Sequence, residues 1–322
     1  MNSEEAPRDL TVLSFGAGQE STLLFYLLAE DAEFRARWAP GTLIVVGCDT
    51  GDEHPETYAH LKWCAEYAEK KKILFLWVTA FPERFGNASW VISGFHSEAW
   101  MSIIHQYRRN SSFGSKLFSR TCTDNVKIGP FYRALASIIG GARGEPARKV
   151  FDNYFARTKQ RIGIILGFAR GEEGRAAKTR ATMQNPKALP AWRRNNFVPL
   201  FPLIDDPKTN WNRAESQSVM RRLGLPVPVP SNCLRCHFRG PVELLWLSRN
   251  HPKAFAEWVE IEEAKKKKYR ELGRSEEKNL GVFGKRSLPE ELKLAQTKHG
   301  HLTDEQLEEY RMSHGHCVSN SF

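Results

Sequence analysis

The turn at residues 14–21, Ser-Phe-Gly-Ala-Gly-Gln-Glu-Ser, joins a short apolar run to a run of helix-forming residues. The apolar run, residues 10–13, has the composition of a strand, and residues 21–29 have that of a helix without a breaker. A glycine-rich turn between strand and helix presents backbone N–H groups to an anion, and the helix N-terminus adds a partial positive charge. The pattern predicts a phosphate site or, as the plainer alternative, an ordinary strand–helix turn.

Apolar runs alternate with helix-forming runs through much of the chain. Residues 42–48, 73–78 and 161–167 are interpreted as buried strands, and residues 55–70 as a helix. Strands that alternate with helices predict an α/β fold with a doubly wound parallel sheet. Ligands of such a sheet bind at the carboxyl ends of its strands, where the turn at residues 14–21 also lies.

The remaining segments have less regular patterns. Residues 80–120 are aromatic and rich in turn formers, so they are predicted to be loops and short helices over the site. Further predictions are a helix at 128–139, an extended segment at 197–203, a helix at 211–223 closed by Gly224, and a helix at 241–270. The chain beyond about residue 270 is expected to be a tail packed on the main body.

The size of the chain limits the classes of protein to which it can belong. It has 322 residues, of which 41% are hydrophobic, enough for one large domain or for one domain with an appendage. No apolar run approaches the roughly 20 residues of a membrane span. The N-terminal residues are acidic and lack the apolar stretch of a signal peptide. We therefore expect a cytoplasmic protein with no membrane partner.

The formal net charge of +10 is concentrated in one part of the chain. Residues 143–222 contain 17 Lys and Arg but 7 Asp and Glu, whereas the rest of the chain is balanced. A local basic excess favours a polyanionic partner such as tRNA, DNA or a guide RNA. Alternatively, these cations bind small phosphates or lie on a solvated face, as the lysine run 265–268 is interpreted to do.

Two of the six cysteines, Cys233 and Cys236, are separated by two residues. In a reducing compartment such a pair predicts a metal or redox site rather than a structural disulfide. Two thiols at this spacing can hold one metal ion or one iron of a cluster.

Four segments resemble, in the same order, the phosphoadenylylsulfate (PAPS) reductase-like family of pyrophosphate-loop (PP-loop) proteins. The turn is similar to the PP-loop of ATP pyrophosphatases, although Ala17 replaces a glycine and Glu20 replaces the usual aspartate. Residues 49–58 resemble the Asp-Thr-Gly-x-x-x-Pro-Glu-Thr-Tyr segment of adenylylsulfate and PAPS reductases. Residues 122–130 resemble the family's Cys-Thr-x-x-x-Lys-Ile-x-Pro segment, and residues 231–238 resemble its Ser-x-Cys-x-x-Cys-x-Phe segment. The loop at 167–175 resembles the arginine-bearing loop that these reductases close over the nucleotide; a plain surface loop is the alternative.

The resemblance implies an α/β fold of the adenine nucleotide α-hydrolase type at residues 1–240, with a helical C-terminal extension at 241–322 packed on it. It implies that ATP, PAPS or adenylylsulfate binds together with Mg²⁺. The expected nucleotide-binding residues are Ser14, Phe15, Gly16, Ala17, Gly18, Glu20, Ser21, Asp49, Thr50, Gly51 and Gly167. Lys127, Arg170 and Arg175 are expected to neutralise phosphate charge, and Asp49 and Glu20 to orient the nucleotide or Mg²⁺. Cys122, Cys233 and Cys236 are expected to hold a [4Fe–4S] cluster with one iron open, or zinc with a fourth ligand such as His237.

Three functions are compatible with the resemblance. The first is ATP-dependent sulfur transfer to a nucleic acid, as in tRNA cytidine thiolation enzymes, with the stretch 143–222 binding the polymer. The second is reduction of a sulfonucleotide by a C-terminal cysteine. Cys317 is the candidate, and its neighbouring histidines could lower its pKa, but the reductases' Glu-Cys-Gly-x-His motif is absent and the cysteine could be incidental. The third is a non-catalytic nucleotide- or RNA-binding accessory protein of a mobile element or CRISPR system.

Overall fold

The computed structural model describes residues 8–81, 89–92, 102–115, 121–140 and 145–313. The strands within these residues are β1 (Leu10–Phe15), β2 (Thr42–Asp49), β3 (Leu74–Phe81), β4 (Ser89–Ile92), β5 (Ile162–Ile165) and β6 (Phe197–Leu200). The helices are α1 (Gln19–Glu30), α2 (Ala32–Trp38), α3 (Pro55–Lys70), α4 (Ile103–Asn110), α5 (Thr121–Thr123), α6 (Gly129–Ile138), α7 (Ala147–Thr158), α8 (Glu173–Gln184), α9 (Ala191–Asn196), α10 (Pro202–Asp205), α11 (Arg213–Arg222), α12 (Pro241–Asn250), α13 (Pro252–Glu271), α14 (Leu288–His299) and α15 (Asp304–Ser313). A π-helix at Asp124–Ile128 joins α5 to α6, and a 3₁₀-helix lies at Glu276–Lys278.

The strands form one sheet in the order β4-β3-β2-β1-β5-β6. The strands from β3 to β6 in that order pair in parallel, and β4 pairs antiparallel with β3 at the edge. The predicted α/β fold with a parallel sheet is therefore confirmed, with an antiparallel edge strand that the sequence did not indicate. The strand order reverses between β1 and β5, and this is the switch point at which such sheets bind ligands.

Helices cover both faces of the sheet. Leu13 and Val45 belong to the core under α1, α2, α3 and α11, whereas Val12 and Ile44 belong to the core under α6, α7, α8 and α9. Successive strand residues point to opposite faces, so continuous apolar runs are required where both faces are buried.

Several element boundaries differ from the sequence predictions. Helix α1 begins at Gln19, two residues before the predicted start, because Gly18 already serves as its N-cap. The predicted single helix at 241–270 is two helices, since Pro252 begins α13 and cannot continue α12. Residues 197–200 form a full strand of the sheet, and α7 was not predicted.

The helices from α12 to α15 build a third core of their own. Its largest buried members are Trp246 and Trp258, and it also contains Leu247, Leu288 and Leu307. The segment beyond residue 270, predicted to belong to a helical extension, contains the helices α14 and α15. None of the described helices is both long and apolar enough to cross a membrane.

His60 of α3 is a buried histidine that makes the fold sensitive to acid. Its Nε2 lies 3.1 Å from Thr22 Oγ1 of α1 and 3.3 Å from Cys64 Sγ. Burial lowers the pKa of His60 to about 4, whereas an unfolded chain gives about 6.5. Because the unfolded state then takes up the proton first, stability falls as the pH drops from about 6.5 towards 4.

We expect wild-type protein to lose about 2 kcal/mol of unfolding free energy between pH 7 and pH 5 through this residue alone. The substitution His60→Gln should remove that part of the loss, since an amide does not titrate. Urea unfolding of both proteins at the two pH values measures the difference. Equal losses in the two proteins would contradict the assignment.

Candidate nucleotide and thiol site

The loops after β1 and β5 meet at the carboxyl edge of the sheet. A Cβ atom on Gly167, in the loop after β5, would lie 2.7 Å from the backbone N of Ser21 and 3.1 Å from its Cα. A side chain at position 167 would therefore collide with the backbone of α1. The two adjacent parallel strands bring these loops together, and glycine lets them touch.

The turn after β1 adopts the geometry that its glycines allow. Ala17 has a φ of 56°, in the left-handed region, and is fully buried. Gly18 is extended, and its carbonyl accepts the N–H of Thr22 at 2.9 Å and the hydroxyl of Ser21 at 3.2 Å. Position 17 is where the PP-loop pattern has glycine, and a left-handed alanine costs about 1 kcal/mol. The turn thus adopts at position 17 a conformation that glycine would adopt at lower cost.

A cavity with an empty volume of about 1070 Å³, including its mouth, lies over this turn. Nine of the residues predicted to bind nucleotide or neutralise phosphate line it: Ser14, Phe15, Gly16, Gly18, Glu20, Ser21, Lys127, Gly167 and Arg175. The sequence analysis missed further lining residues, among them Glu53, Trp77, Phe131, Glu172, Arg213 and Ser231. The aromatic and apolar members offer a surface for a base, and the glycine turn offers N–H groups for phosphate.

Three cations in the cavity wall each face a carboxylate of the same wall. Lys127 Nζ lies 3.8 Å from Glu53 Oε1, Arg213 Nε lies 2.6 Å from Glu20 Oε1, and Arg175 pairs with Glu172. The guanidinium of Arg175 also covers the ring of Phe168 at 4.3 Å. Glu20 therefore holds Arg213, a partner 193 residues away that its sequence neighbourhood does not indicate.

Arg170 lies outside the cavity. Its guanidinium pairs with Glu215 of α11 at 2.7 Å and donates to the carbonyl of Asn210 at 3.1 Å. The structure thus brings Arg175 to the predicted nucleotide site and turns Arg170 towards α11. Arg213, at the start of α11, occupies the cavity wall instead.

Asp49 is the last residue of β2, and Thr50 and Gly51 begin the turn that follows it; none of the three lines the cavity. Asp49 Oδ1 accepts the N–H of Gly51 at 2.7 Å and the hydroxyl of Tyr58 at 2.9 Å, and Oδ2 accepts from Trp77 at 3.4 Å. Gly51 has a φ of 72°, which favours glycine. The carboxylate of Asp49 shapes the turn rather than facing a ligand.

Glu53 is the carboxylate of this turn that reaches the cavity. Its Oε1 accepts the hydroxyl of Thr50 at 2.8 Å, while its buried Oε2 has no hydrogen-bond partner among the described residues. Burial raises the pKa of the Glu53 carboxyl, opposed by the nearby charge of Lys127. No sequence signal separated Glu53 from Asp49, because both lie at the carboxyl end of the same strand, β2.

The segment that carries Cys233 and Cys236 packs against both turns. Ser231 Oγ would be 3.4 Å from a Cβ on Gly16 and 3.2 Å from one on Gly18, so it lies directly on the glycine turn. Cys233 pairs with Glu53 in an isolated β-bridge, and its Sγ lies 3.4 Å from Thr50 Oγ1. The nucleotide cavity and the cysteine segment therefore share a wall.

Arg235, between the two cysteines, fixes this segment in place. It forms a buried ion pair with Asp52, and its backbone N–H donates to Asp52 Oδ2 at 2.8 Å. It also pairs with Glu257 of α13. Burial raises the pKa of the Asp52 carboxyl, while the charge of Arg235 acts in the opposite direction.

The three predicted ligand cysteines all act electrostatically on one buried tyrosine, Tyr107. Burial and the charges of Cys122, Cys233 and Cys236 raise the pKa of Tyr107 in α4, and Cys122 packs in the apolar cluster of Tyr107.

A π-helix follows α5. At its end the backbone N–H of Gly129 donates to the carbonyl of Asp124, five residues earlier. The π-helix contains Lys127, which follows Cys122 by five residues and lines the cavity. Such π-helical turns are frequent at functional sites.

Three cysteines are a donor set of the kind that binds iron–sulfur clusters or zinc. Among the residues that the structure describes, no group of three His, Cys, Asp or Glu side chains is placed to hold one metal ion. In a cubane cluster each thiolate binds a different iron, so its ligands need not surround a common point. Cys317, the candidate catalytic cysteine, lies outside the described residues.

The basic stretch is described from residue 145 onwards. Arg157 and Lys159 at the end of α7, and Lys178 and Lys187 in and after α8, are exposed. No carboxylate of the described chain lies within 4 Å of these four cations, whereas Lys149 pairs with Glu145 at 3.0 Å. Lys265 of the lysine run is buried and donates to the carbonyl of Leu280 at 2.7 Å, so it is a structural lysine rather than a solvated one.

We expect Gly167→Ala to weaken ATP binding about tenfold and to lower the melting temperature, because the new methyl group must push the β5 loop away from α1. The matched control is Gly174→Ala in α8, where a Cβ would meet no atom within 4 Å. That change should leave binding intact and stabilise the helix by up to about 1 kcal/mol. Calorimetric titration with ATP and thermal unfolding measure both effects. Equal behaviour of the two variants would argue against close contact at position 167.

No protein-family model and no curated protein sequence matches the chain. Among solved structures the chain is similar to the U34-tRNA thiolase NcsA from Methanococcus maripaludis, determined with its [4Fe–4S] cluster. The two sequences are 14% identical, and the similarity covers 94% of this chain and 76% of the other, with a TM-score of 0.36.

Proposed function

We propose that the protein is an ATP-using PP-loop enzyme that carries a [4Fe–4S] cluster and transfers sulfur to a nucleic acid. The observation that carries the proposal is the shared wall between the nucleotide cavity and the cysteine segment. Ser231 packs on Gly16 and Gly18, and Cys233 is bridged to Glu53, whose carboxylate faces Lys127. An enzyme that couples nucleotide cleavage to thiol chemistry requires the two centres to be adjacent.

The first step is attack of an acceptor oxygen on the α-phosphorus of ATP. A new P–O bond forms, the bond between the α-phosphorus and the bridging oxygen breaks, and pyrophosphate leaves. The glycine turn and the N-terminus of α1 bind the pyrophosphate through backbone N–H groups. Lys127 and Arg175 leave their carboxylate partners to offset the phosphate charge, and the released carboxylates can bind Mg²⁺.

The second step replaces the activated oxygen by sulfur. A sulfide donor attacks the acceptor carbon, the C–O bond breaks, and AMP leaves with the oxygen. Cys122, Cys233 and Cys236 would hold the cluster, which supplies an iron that is open to exogenous sulfur. Arg235, held by Asp52 and Glu257, orients the cysteine segment that contains two of these ligands.

A nucleic-acid acceptor is supported by the charge distribution. The excess cations of residues 143–222 include exposed side chains on α7 and α8, which both flank α9 on one side of the sheet. Clustered exposed cations attract phosphate backbones and release counterions on binding. The acceptor would then reach the cavity from this basic side.

The cleavage chemistry is tested with ATP labelled at the α-phosphate, RNA and sulfide. We expect labelled AMP and pyrophosphate, formed faster when RNA is present. Lys127→Met should lower the rate about 100-fold, since it removes a charge that stabilises the transition state. Lys71→Met is the control, because Lys71 pairs with Glu30 at 2.8 Å away from the cavity. Labelled ADP as the product, or equal rates in the two variants, would contradict the proposal.

Anaerobic reconstitution tests the cluster. We expect about four irons per chain and broad visible absorption, both lost in Cys233→Ser, because that change removes one thiolate ligand. Cys48→Ser is the control: burial raises the pKa of the Cys48 thiol to about 12, and the residue lies on the wall of the nucleotide cavity. One zinc per chain, or iron retained by Cys233→Ser, would mean that these cysteines do not hold such a cluster.

A further inference from the structure

A second cavity adjoins the nucleotide cavity. Its empty volume is about 960 Å³, and it is more open to solvent. Glu20, Glu172 and Arg213 line both cavities, so these residues form a partition between them. The far side of the second cavity is built from the arginine loop after β5, the end of the cysteine segment, and α15.

The partition is an ion pair rather than a packed wall. Glu20 in the first turn of α1 holds Arg213 at the start of α11 at 2.6 Å, and Arg213 also donates to the carbonyl of Ser313 at 3.4 Å. Glu20 is 9% exposed. A group bound in the second cavity is separated from the phosphates of a bound nucleotide by these side chains alone.

The lining of the second cavity combines aromatic rings and guanidinium groups with the carboxylates of Glu20, Glu172 and Glu243. Phe238 and Tyr310 contribute the rings, and Arg170 and Arg213 contribute the positive charges. A purely apolar ligand would not bind the arginines, and a small anion would not contact the aromatic rings. A nucleobase with its own phosphate uses both, because bases stack on aromatic side chains and arginine binds phosphate in a fork.

Arg170 is available for such a role at low cost. Its side chain is 45% exposed, and its partner Glu215 is 43% exposed. Exposed ion pairs of this kind contribute about 0 to 1 kcal/mol, so the exchange of Glu215 for a phosphate loses little. This explains why the loop after β5 carries an arginine that is turned away from the nucleotide cavity.

We propose that the second cavity binds an unpaired base of a single-stranded nucleic acid and is the acceptor site. The assignment rests on the proposed function, and it requires the Glu20–Arg213 pair to open so that the acceptor oxygen of the base can reach the α-phosphorus. Phe238 and Tyr310 stack on the base, and Arg170 contacts its phosphate. An unpaired base is required because a base stacked and paired inside a duplex cannot stack on Phe238 and Tyr310.

The test is photo-crosslinking of the full-length protein to a short RNA that carries a single 4-thiouridine, with a DNA of the same sequence as a second arm. Mass spectrometry of the crosslinked peptides should place the thiouridine at Phe238 or Tyr310. Saturating ATP should leave the crosslink in place, because the base and the nucleotide occupy different cavities. Crosslinks confined to α7 and α8, or displacement by ATP, would overturn the proposal.

Two variants test the roles of ring and charge. Phe238→Leu should reduce the crosslink at least fivefold, whereas Phe255→Leu, which changes a similarly half-buried phenylalanine of α13, should not. Arg170→Gln, at an exposed position where folding is not at risk, should weaken RNA binding and lower its salt dependence by about one phosphate contact. An unchanged crosslink in both Phe238→Leu and Arg170→Gln would also overturn the proposal.

ATP binding, measured separately by equilibrium dialysis, distinguishes this proposal from the proposed function. ATP cleavage with crosslinks elsewhere would mean that the enzyme is correctly assigned and the acceptor site is wrong. A crosslink at Phe238 or Tyr310 without ATP binding would mean that the base site is correct and that the sulfur-transfer assignment fails.

Discussion

The buried ion pair between Asp52 and Arg235 is the interaction on which the rest of the site depends. Their side chains are 2% and 9% exposed, and two backbone N–H groups of the cysteine segment also donate to Asp52. Burial of two charges is costly, and removal of one partner from such a pair typically costs 3–5 kcal/mol. Because Arg235 also reaches Glu257, the pair connects the turn after β2, the cysteine segment and α13.

This connection makes the glycine turn after β1 and the cysteine segment a single structural unit. The cysteine segment is held on one side by Asp52 and His54, and on the other it presses Ser231 against the glycine turn. Displacement of the turn by a bound nucleotide would therefore be transmitted to Cys233 through backbone contacts. His54 contacts the cysteine segment through Asn232. Burial and the charge of Arg239 hold the pKa of His54 well below its usual value.

The sequence was sufficient for the strands and for the glycine turn, because apolar runs and glycine spacing report local geometry directly. It was not sufficient for the charged residues. Asp49 ends β2 and Glu53 lies in the turn after it, yet the carboxylate of Asp49 accepts hydrogen bonds from Tyr58 and Trp77, whereas Glu53 lines the cavity. Arg170 and Arg213 differ in the same way, since partners 45 and 193 residues distant decide which of them lines the cavity.

The pairing of charges in the nucleotide cavity has a further consequence. Three cations and three carboxylates of the wall face one another, so the cavity has little net charge from these groups. A polyphosphate alone would meet Glu20, Glu53 and Glu172 as well as the cations, and like charges in a partly buried site oppose binding. A divalent cation that neutralises the carboxylates while the phosphates take over the lysine and arginines removes this conflict. If the cavity binds a nucleotide, as we propose, this arrangement favours its complex with a divalent cation over the free nucleotide.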